Sequence, residues 1–378
     1  MTVYFDNAAT TRVRPEAAEA ALRVMTEVYG NPSSTHTMGR EAKKELDRAR
    51  DSVARAVGAS PDEIFFTSGG TEADNLALRG GAEAMRHKGR HIVISSVEHD
   101  AVAKCAEKLE TEGWEITRVA PDGAGRITAG AVKEALRPDT VLVSVMLVNN
   151  ETGAVNPVQE IASAVKSSGC GALVHTDAVQ ALCKVPFSVK TLGADLVSLS
   201  SHKIHGPKGT GALWIKSGVK IKPVLMGGGQ EKGMRSGTEG LPGIAAFGEA
   251  ARLGAAEAEE TAKSMRAVRE HTVQLLKEKL PECVFIGEGD APHILSLSLP
   301  GCKSEVLMNY LEAEGVFVSK GSACKKGARS HVLAAMGLPG RVIDGAIRVS
   351  FSKYSTEAEA EYFAEKLSEA VSRLAWAK

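Results

Sequence analysis

Between about residues 61 and 216 the chain alternates short runs rich in β-branched residues with longer amphipathic stretches. That alternation is what a largely parallel sheet wrapped by helices requires. The strand candidates are IFFTS (64–68), HIVISS (91–96), VLVSVMLV (141–148), ALVHTD (172–177), DLVSLSS (195–201) and GALWIK (211–216). Amphipathic stretches lie between them, and TEADNLALRGGAEAM (71–85) follows Ser68-Gly69-Gly70 as a helix follows its N-terminus. Polar residues collect just past the carboxyl ends of these strands, the edge at which open α/β sheets bind ligands. After about residue 250 a charged helical stretch leads into shorter strands and helices (ILSLSLPG, SEVLMNYLEAEG, VFVS, AIRVSFS and a closing helix from Thr356). This predicts a smaller α+β domain packed against the larger one around a shared cleft, and 378 residues suffice for both.

Composition narrows the partners. Lys plus Arg and Asp plus Glu both number 46, so no whole-protein field draws the chain to nucleic acid or anionic lipid. The start, MTVYFDNAATT, lacks the basic and apolar blocks of a signal peptide, and no apolar run approaches the ~18 residues of a membrane span. The six cysteines form no CxxC pair, so neither a metal site nor a disulfide scaffold is expected. A cytoplasmic protein with reduced thiols is the expectation. The 38 glycines exceed the ~7% of an average chain and suggest close backbone approach to a ligand.

In SLSSHKIHGPKGTGALWI, Lys203 follows an apolar strand directly. Desolvation there lowers an amine's pKa toward the range where it is a nucleophile, able to form a Schiff base. An isolated lysine in a loop is more often a surface residue, but this one has company. HTDAVQ puts Asp177 at the end of another strand, where a carboxylate can keep a pyridine nitrogen protonated, as pyridoxal phosphate (PLP) needs. SGGTEADN puts Gly70 and Thr71 at a helix start, where free N–H groups favour a phosphate. Taken singly, Asp177 could equally cap a helix and Gly-Gly-Thr could be only a turn.

The segments DNAATT, YGNPSSTH, TSGGTEADN, EHDAV, NNETG, HTDAVQ, SSHKIHGPKG, GGGQEKGMRSGT, GSAC and SHVLAAMG, in this order from Asp6 to about Ser352, resemble the NifS/IscS-type cysteine desulfurases. These are PLP enzymes of aminotransferase fold type I, in the class V aminotransferase family. The resemblance implies a large domain, 16–250, with a mostly parallel seven-stranded sheet, and a small α+β domain, 251–378, against which 1–15 packs. It implies that Lys203 carries PLP, that His99 stacks on the pyridine ring, that Asp177 pairs with the ring nitrogen and that Gln180 hydrogen-bonds the ring hydroxyl. Asn150 would lie beside the cofactor, and Gly70, Thr71, Ser200 and His202 would hold its phosphate. Thr238 would reach the phosphate from the other subunit, which implies a homodimer. From the residues alone, His99 could be an ordinary strand-end histidine capping a helix.

Cys324, in VSKGSACKKGARSHVL, matches the catalytic cysteine of these enzymes, and Lys320, Lys325, Lys326 and Arg329 surround it with charge that lowers a thiol's pKa. The other five cysteines read as packing residues. Arg348, in AIRVSFS, matches the arginine that holds the substrate carboxylate, a group its planar fork suits. Asn31, of YGNPSS, matches a substrate-side position, and His175 is assigned no role. The implied reaction takes sulfur from L-cysteine, leaving L-alanine and a persulfide on Cys324 that passes to an acceptor for iron–sulfur cluster assembly or for tRNA or thio-cofactor thiolation. Lys203 would move a proton at the α-carbon, and His99 could shuttle one at the substrate thiol. One stretch departs from the pattern: Cys324 to Ser330 is about two residues shorter than in the members with the longest reach, and carries basic residues where they have small polar ones. That points to an acidic acceptor or a tRNA-bound sulfurtransferase. The competing readings are a selenocysteine lyase-like activity on the same scaffold, an aminotransferase, and a PLP-binding interaction protein without turnover.

Overall fold

The computed structural model describes residues 1–320 and 329–375. After a short β1 (Val3–Tyr4), the chain builds one sheet from β2 (Ile64–Thr67), β3 (His91–Ser95), β4 (Glu115–Val119), β5 (Thr140–Ser144), β6 (Leu173–Asp177), β7 (Leu196–Ser200) and β8 (Gly211–Ile215). Their order across the sheet is β2-β8-β7-β6-β5-β3-β4. All neighbours run parallel except β8, which is antiparallel to both β2 and β7. The seven-stranded, mostly parallel sheet expected from the sequence is therefore present.

Six of its strands lie where the apolar runs predict them, because β3, β5, β7 and β8 are buried at every residue and read as near-continuous hydrophobic segments. The seventh, β4, escapes that reading. It lies at the sheet edge with Glu115 and Arg118 exposed, Ile116 and Thr117 half-buried and only Val119 buried, so its sequence, EITRV, carries no apolar block. The predicted run 141–148 is also longer than the strand it contains. Beyond Ser144 the chain stays buried but leaves the ladder, and Val148 pairs instead with Val155 in an isolated bridge.

Helices cover both faces. On one, Ala73, Leu76 and Ala77 of Gly70–Met85 pack with Val102 and Leu109 of Asp100–Thr111 over Ile92, Ile94, Leu142 and Leu196. On the other, Phe247 of Leu241–Ala256 packs with Ala42 and Leu46 of Thr37–Val57 over Phe66, Val93, Val143 and Val197. The charged stretch after residue 250 is broken at Glu257, where the helix Ala258–Lys279 begins; Glu257 takes ion pairs from Arg14 and Lys353.

A second apolar core forms around the antiparallel strands β9 (Val284–Ile286), β10 (Ile294–Ser298) and β12 (Ala346–Ser350), while β11 (Val316–Phe317) pairs in parallel with β1. The N-terminal residues belong to this core. Phe5 meets Phe351 and Phe363 edge-on at ring distances of 5.0 and 5.9 Å, and Ser350 binds Asn7 and Ala8 through its carbonyl and hydroxyl oxygens. The segment Asp6–Thr11 is thereby drawn from the second core to the edge of the large sheet. No helix among the described residues is long and apolar enough to cross a membrane.

One loop is held by a buried ion pair. Glu231 and Lys232 adopt φ of 48° and 57°, the left-handed region that side chains disfavour. Glu231 receives two guanidinium bonds from Arg50, both 2.7 Å, and the Phe66 N–H at 2.9 Å. Its side chain is 2% exposed, so removing it strands the Arg50 charge. The variant Glu231→Ala should lose roughly 3–5 kcal/mol, seen as a lower urea midpoint; an unchanged midpoint would refute this account of the loop.

Candidate active site

The carboxyl ends of the parallel strands, the Asp6–Thr11 segment and β12 enclose a cavity of about 370 Å³. Its walls include Gly70, Thr71, His99, Asn150, Asp177, Gln180, Ser200, His202, Lys203 and Arg348. Ten residues singled out in the sequence are thus brought together from six separate segments. Asn31 and Thr238 do not line it. Both are exposed; Asn31 closes a local turn by accepting the Ser33 N–H at 2.9 Å. Cys324 lies outside the described residues, as do Lys325 and Lys326.

Lys203 ends a single helical turn, Ser201–Lys203, that follows β7 immediately. Its ammonium group donates to the carbonyls of Ala8 and Ala9 at 2.6 and 2.7 Å. Burial, reinforced by the Arg348 charge and opposed by Asp177 and Asp6, brings this amine down to about 8. The same burial lowers His202 to about 4, with Lys203 adding to it. His202 stands between Thr10 and Thr11, its Nδ1 3.2 Å from the Thr10 hydroxyl and its carbonyl accepting the Thr11 N–H and hydroxyl, each at 2.9 Å.

Asp177 closes β6 at 5% exposure. One carboxylate oxygen accepts the Val179 N–H at 2.8 Å, and burial raises its pKa against the pull of His99 and Lys203. Two more buried acids stand close by. Asp74 is raised well above the carboxylate range by burial and by Asp177, and Glu98 is pushed up to about 8, chiefly by burial. His175 ties β5 to β7 beneath them, 2.8 Å from the Ser144 hydroxyl and 3.0 Å from that of Ser198. Burial lowers it to about 3, so it stays neutral and offers the acids no countercharge.

His99 combines both readings open to it. It caps the helix Asp100–Thr111 by accepting the Ala101 N–H at Nδ1, 3.1 Å away, and it lines the cavity. Because Nδ1 accepts there, the neutral ring carries its proton on Nε2. At the opposite wall Arg348 projects from β12, 4% exposed, and donates to the Asn150 carbonyl at 2.7 Å and to Asp6 at 2.9 Å. Asn149, beside Asn150, is structural: its amide oxygen collects the N–H groups of Glu151 and Thr152.

The residues missed in the sequence fall into two kinds. The Ala8 and Ala9 carbonyls, the Asp6 partner of Arg348 and His331 lie in DNAATT and SHVLAAMG, motifs recognised as blocks but given no individual roles. Asp74, Glu98 and Glu151 are acids buried to 4% exposure or less, and only their adjacency to assigned residues hinted at them.

With this geometry in place, comparison with known proteins identifies the family. The aminotransferase class-V model matches residues 3–363. This chain belongs to the class-V aminotransferase family. A cysteine desulfurase from Trichormus azollae is 42% identical over 98% of this chain and 93% of its own length. A cysteine desulfurase IscS from Methanosarcina thermophila is also 42% identical, over 98% of this chain and 92% of its own length. A solved structure described as a NifS-like protein superposes with a TM-score of 0.94 at 40% identity, covering 99% of this chain and all of that one.

Class-V aminotransferases and cysteine desulfurases depend on PLP, and the residues here fit that cofactor. The helix Gly70–Met85 has no side-chain cap at its N-terminus, which leaves amide N–H groups available to an anion. Gly69 adopts φ of 151°, and a Cβ on Gly70 would lie 2.8 Å from Val179, so the turn depends on both glycines. The Ser200 hydroxyl is buried in the same wall without a hydrogen-bond partner among the described residues. A phosphate acceptor matches these donors, Asp177 matches a protonated pyridine nitrogen, and the Lys203 amine matches an aldehyde.

Proposed function

We propose that the chain is a PLP-dependent cysteine desulfurase in which Lys203, Asp177, His99 and Arg348 work around one bound L-cysteine and Cys324 receives its sulfur. The observation carrying this reading is the convergence on one cavity of an amine lowered to about 8, a buried aspartate and a guanidinium. The 42%-identical relatives named cysteine desulfurase set the substrate.

PLP supplies an electron-withdrawing ring that acidifies the substrate's α-carbon. Asp177 would keep the ring nitrogen protonated, Gln180 would hydrogen-bond the ring hydroxyl with Asn150 beside the cofactor, and Gly70, Thr71, Ser200 and His202 would hold the phosphate. Arg348 releases Asp6 to hold the substrate carboxylate in its fork, which fixes the α-carbon near Lys203. Lys203 Nζ then removes and returns the α-carbon proton. His99 Nε2 exchanges a proton with the substrate thiol. The Cys324 thiolate attacks the substrate sulfur, the carbon–sulfur bond breaks, and the carbon takes up a proton. The balance is one thiol and one L-cysteine giving one persulfide and one L-alanine, with no external oxidant or reductant.

Three of the other thiols serve this role poorly. Burial pushes Cys105, Cys183 and Cys283 up to about 12, so none of them is a thiolate near neutral pH. The same reading makes the enzyme a homodimer, with Thr238 serving a second copy's site; it is exposed and outside this chain's own cavity. It divides the chain into a PLP-binding domain, 16–250, and a smaller domain, 251–378, carrying 1–15. A cytoplasmic, reducing setting suits a thiol-borne sulfur.

The direct test is intact-mass analysis after exposure to L-cysteine. One added sulfur mapped to Cys324, with equimolar alanine, is expected; an adduct on another residue would overturn the assignment. The basic residues after Cys324 suggest an acidic acceptor protein. Replacing Lys325 and Lys326 by Ser should slow sulfur transfer to such an acceptor severalfold while alanine formation with a small thiol reductant holds its rate, and equal transfer would exclude the charge argument.

A further inference from the structure

The sequence places no known motif on Lys184, yet this lysine is 8% exposed and sits behind the cavity that holds Lys203. Its amine contacts the side-chain oxygen of Gln180 at 3.4 Å. His293, 1% exposed, brings Nε2 within 3.3 Å of the same oxygen. The Gln180 side-chain nitrogen donates to the Ala8 carbonyl at 2.8 Å, and that carbonyl also accepts from Lys203 at 2.6 Å.

We propose that Lys184, together with His293, is a positioning residue for the reaction: the pair locks the Gln180 amide so that it offers N–H rather than C=O to the cavity. The orientation follows from hydrogen-bond capacity. A lysine side chain in contact with an amide can face only its oxygen when it donates, and a backbone carbonyl can face only its nitrogen. Turning the amide over would set donor against donor at Lys184 and acceptor against acceptor at Ala8. His293 supports the same arrangement. Burial holds its imidazole well below the ordinary value, so the ring is neutral with one proton; donation to Gln180 places that proton on Nε2. The nitrogen of Gln180 carries two hydrogens, and with one on Ala8 the other remains for the cavity that Gln180 lines. An anionic oxygen on a bound aromatic ring is the acceptor this donor suits. Lys184 thus acts on the site through Gln180 without touching the substrate.

This inference rests on the PLP reading, and a double-mutant cycle on the affinity of the unloaded protein for PLP separates the two. Lys184→Met should weaken PLP binding about tenfold, the worth of one hydrogen bond to a charged oxygen. In a Gln180→Ala background the same change should alter affinity less than twofold, because the amide it orients is gone. Lys184→Gln, which keeps a donor, should bind PLP within about threefold of the parent. A His293→Leu cycle gives the same test where Lys184→Met folds poorly. Equal tenfold losses in both backgrounds would show that Lys184 only packs and would overturn the inference alone. A parent protein that takes up no PLP would overturn the cofactor reading and this inference with it.

Discussion

Replacing Lys203 by Ala should cut L-cysteine turnover by at least roughly 10²–10⁴-fold, the range expected when a positioned acid–base group is lost. Borohydride reduction should fix PLP covalently to the parent protein and leave the variant's mass unchanged. Turnover within tenfold of the parent would contradict the central role given to this amine. The pH dependence supplies a second readout. The folded amine titrates at about 8 against an ordinary 10.5: below 8 it is an ammonium ion and cannot attack an aldehyde, and above 8 it is the free amine. Covalent capture of PLP by the unloaded protein should therefore rise about tenfold per pH unit up to about 8 and then level off. A rise continuing toward 10.5 would mean that burial has not lowered the amine. The stability consequence has the same origin. Between 8 and 10.5 the unfolded lysine binds a proton that the folded one does not, so this group's contribution to stability increases as pH rises through that window.

Cys324→Ala should abolish the sulfur adduct on the protein and reduce alanine formation from L-cysteine to the level of the protein-free reaction with PLP. Cys105, Cys183 and Cys283 cannot replace Cys324, since burial holds those thiols up to about 12, and neither Cys170 nor Cys302 lines the cavity. The same variant separates the selenocysteine lyase reading. If alanine forms from selenocysteine at an undiminished rate while cysteine is not turned over, the scaffold acts on selenium without the thiol. Retained cysteine turnover in Cys324→Ala would refute the persulfide mechanism. The companion variant Cys324→Ser should behave as Ala does, because a serine hydroxyl is neither ionised near neutral pH nor able to carry sulfur.

These outcomes hinge on residues that were legible in the sequence to different degrees. Lys203, Asp177 and Gly70–Thr71 declare themselves locally, since each sits at the end of an apolar strand or the start of an amphipathic helix, and such edges face the ligand side of an α/β sheet. The edge strand β4 was not legible, because Glu115 and Arg118 face solvent and their charges dilute the hydrophobic signal. Asp74, Glu98 and Glu151 were not legible either. An acid in a helix or a turn normally faces water, and nothing in its own segment reveals that the chain has folded over it.

The identity of the six apolar strands of the large sheet, the glycine turn after β2 and the family motifs were determined by the sequence alone, because each depends on neighbours a few residues away. The contacts that give those residues their chemistry were decided only by the tertiary structure. Lys203 meets Ala8 across 195 positions, Gln180 meets the same carbonyl across 172, and Arg348 meets Asp6 across 342. Such separations leave no periodicity to read. An amine becomes a nucleophile near neutral pH, and an amide acquires one orientation, only when distant segments exclude water and present fixed donors and acceptors around it.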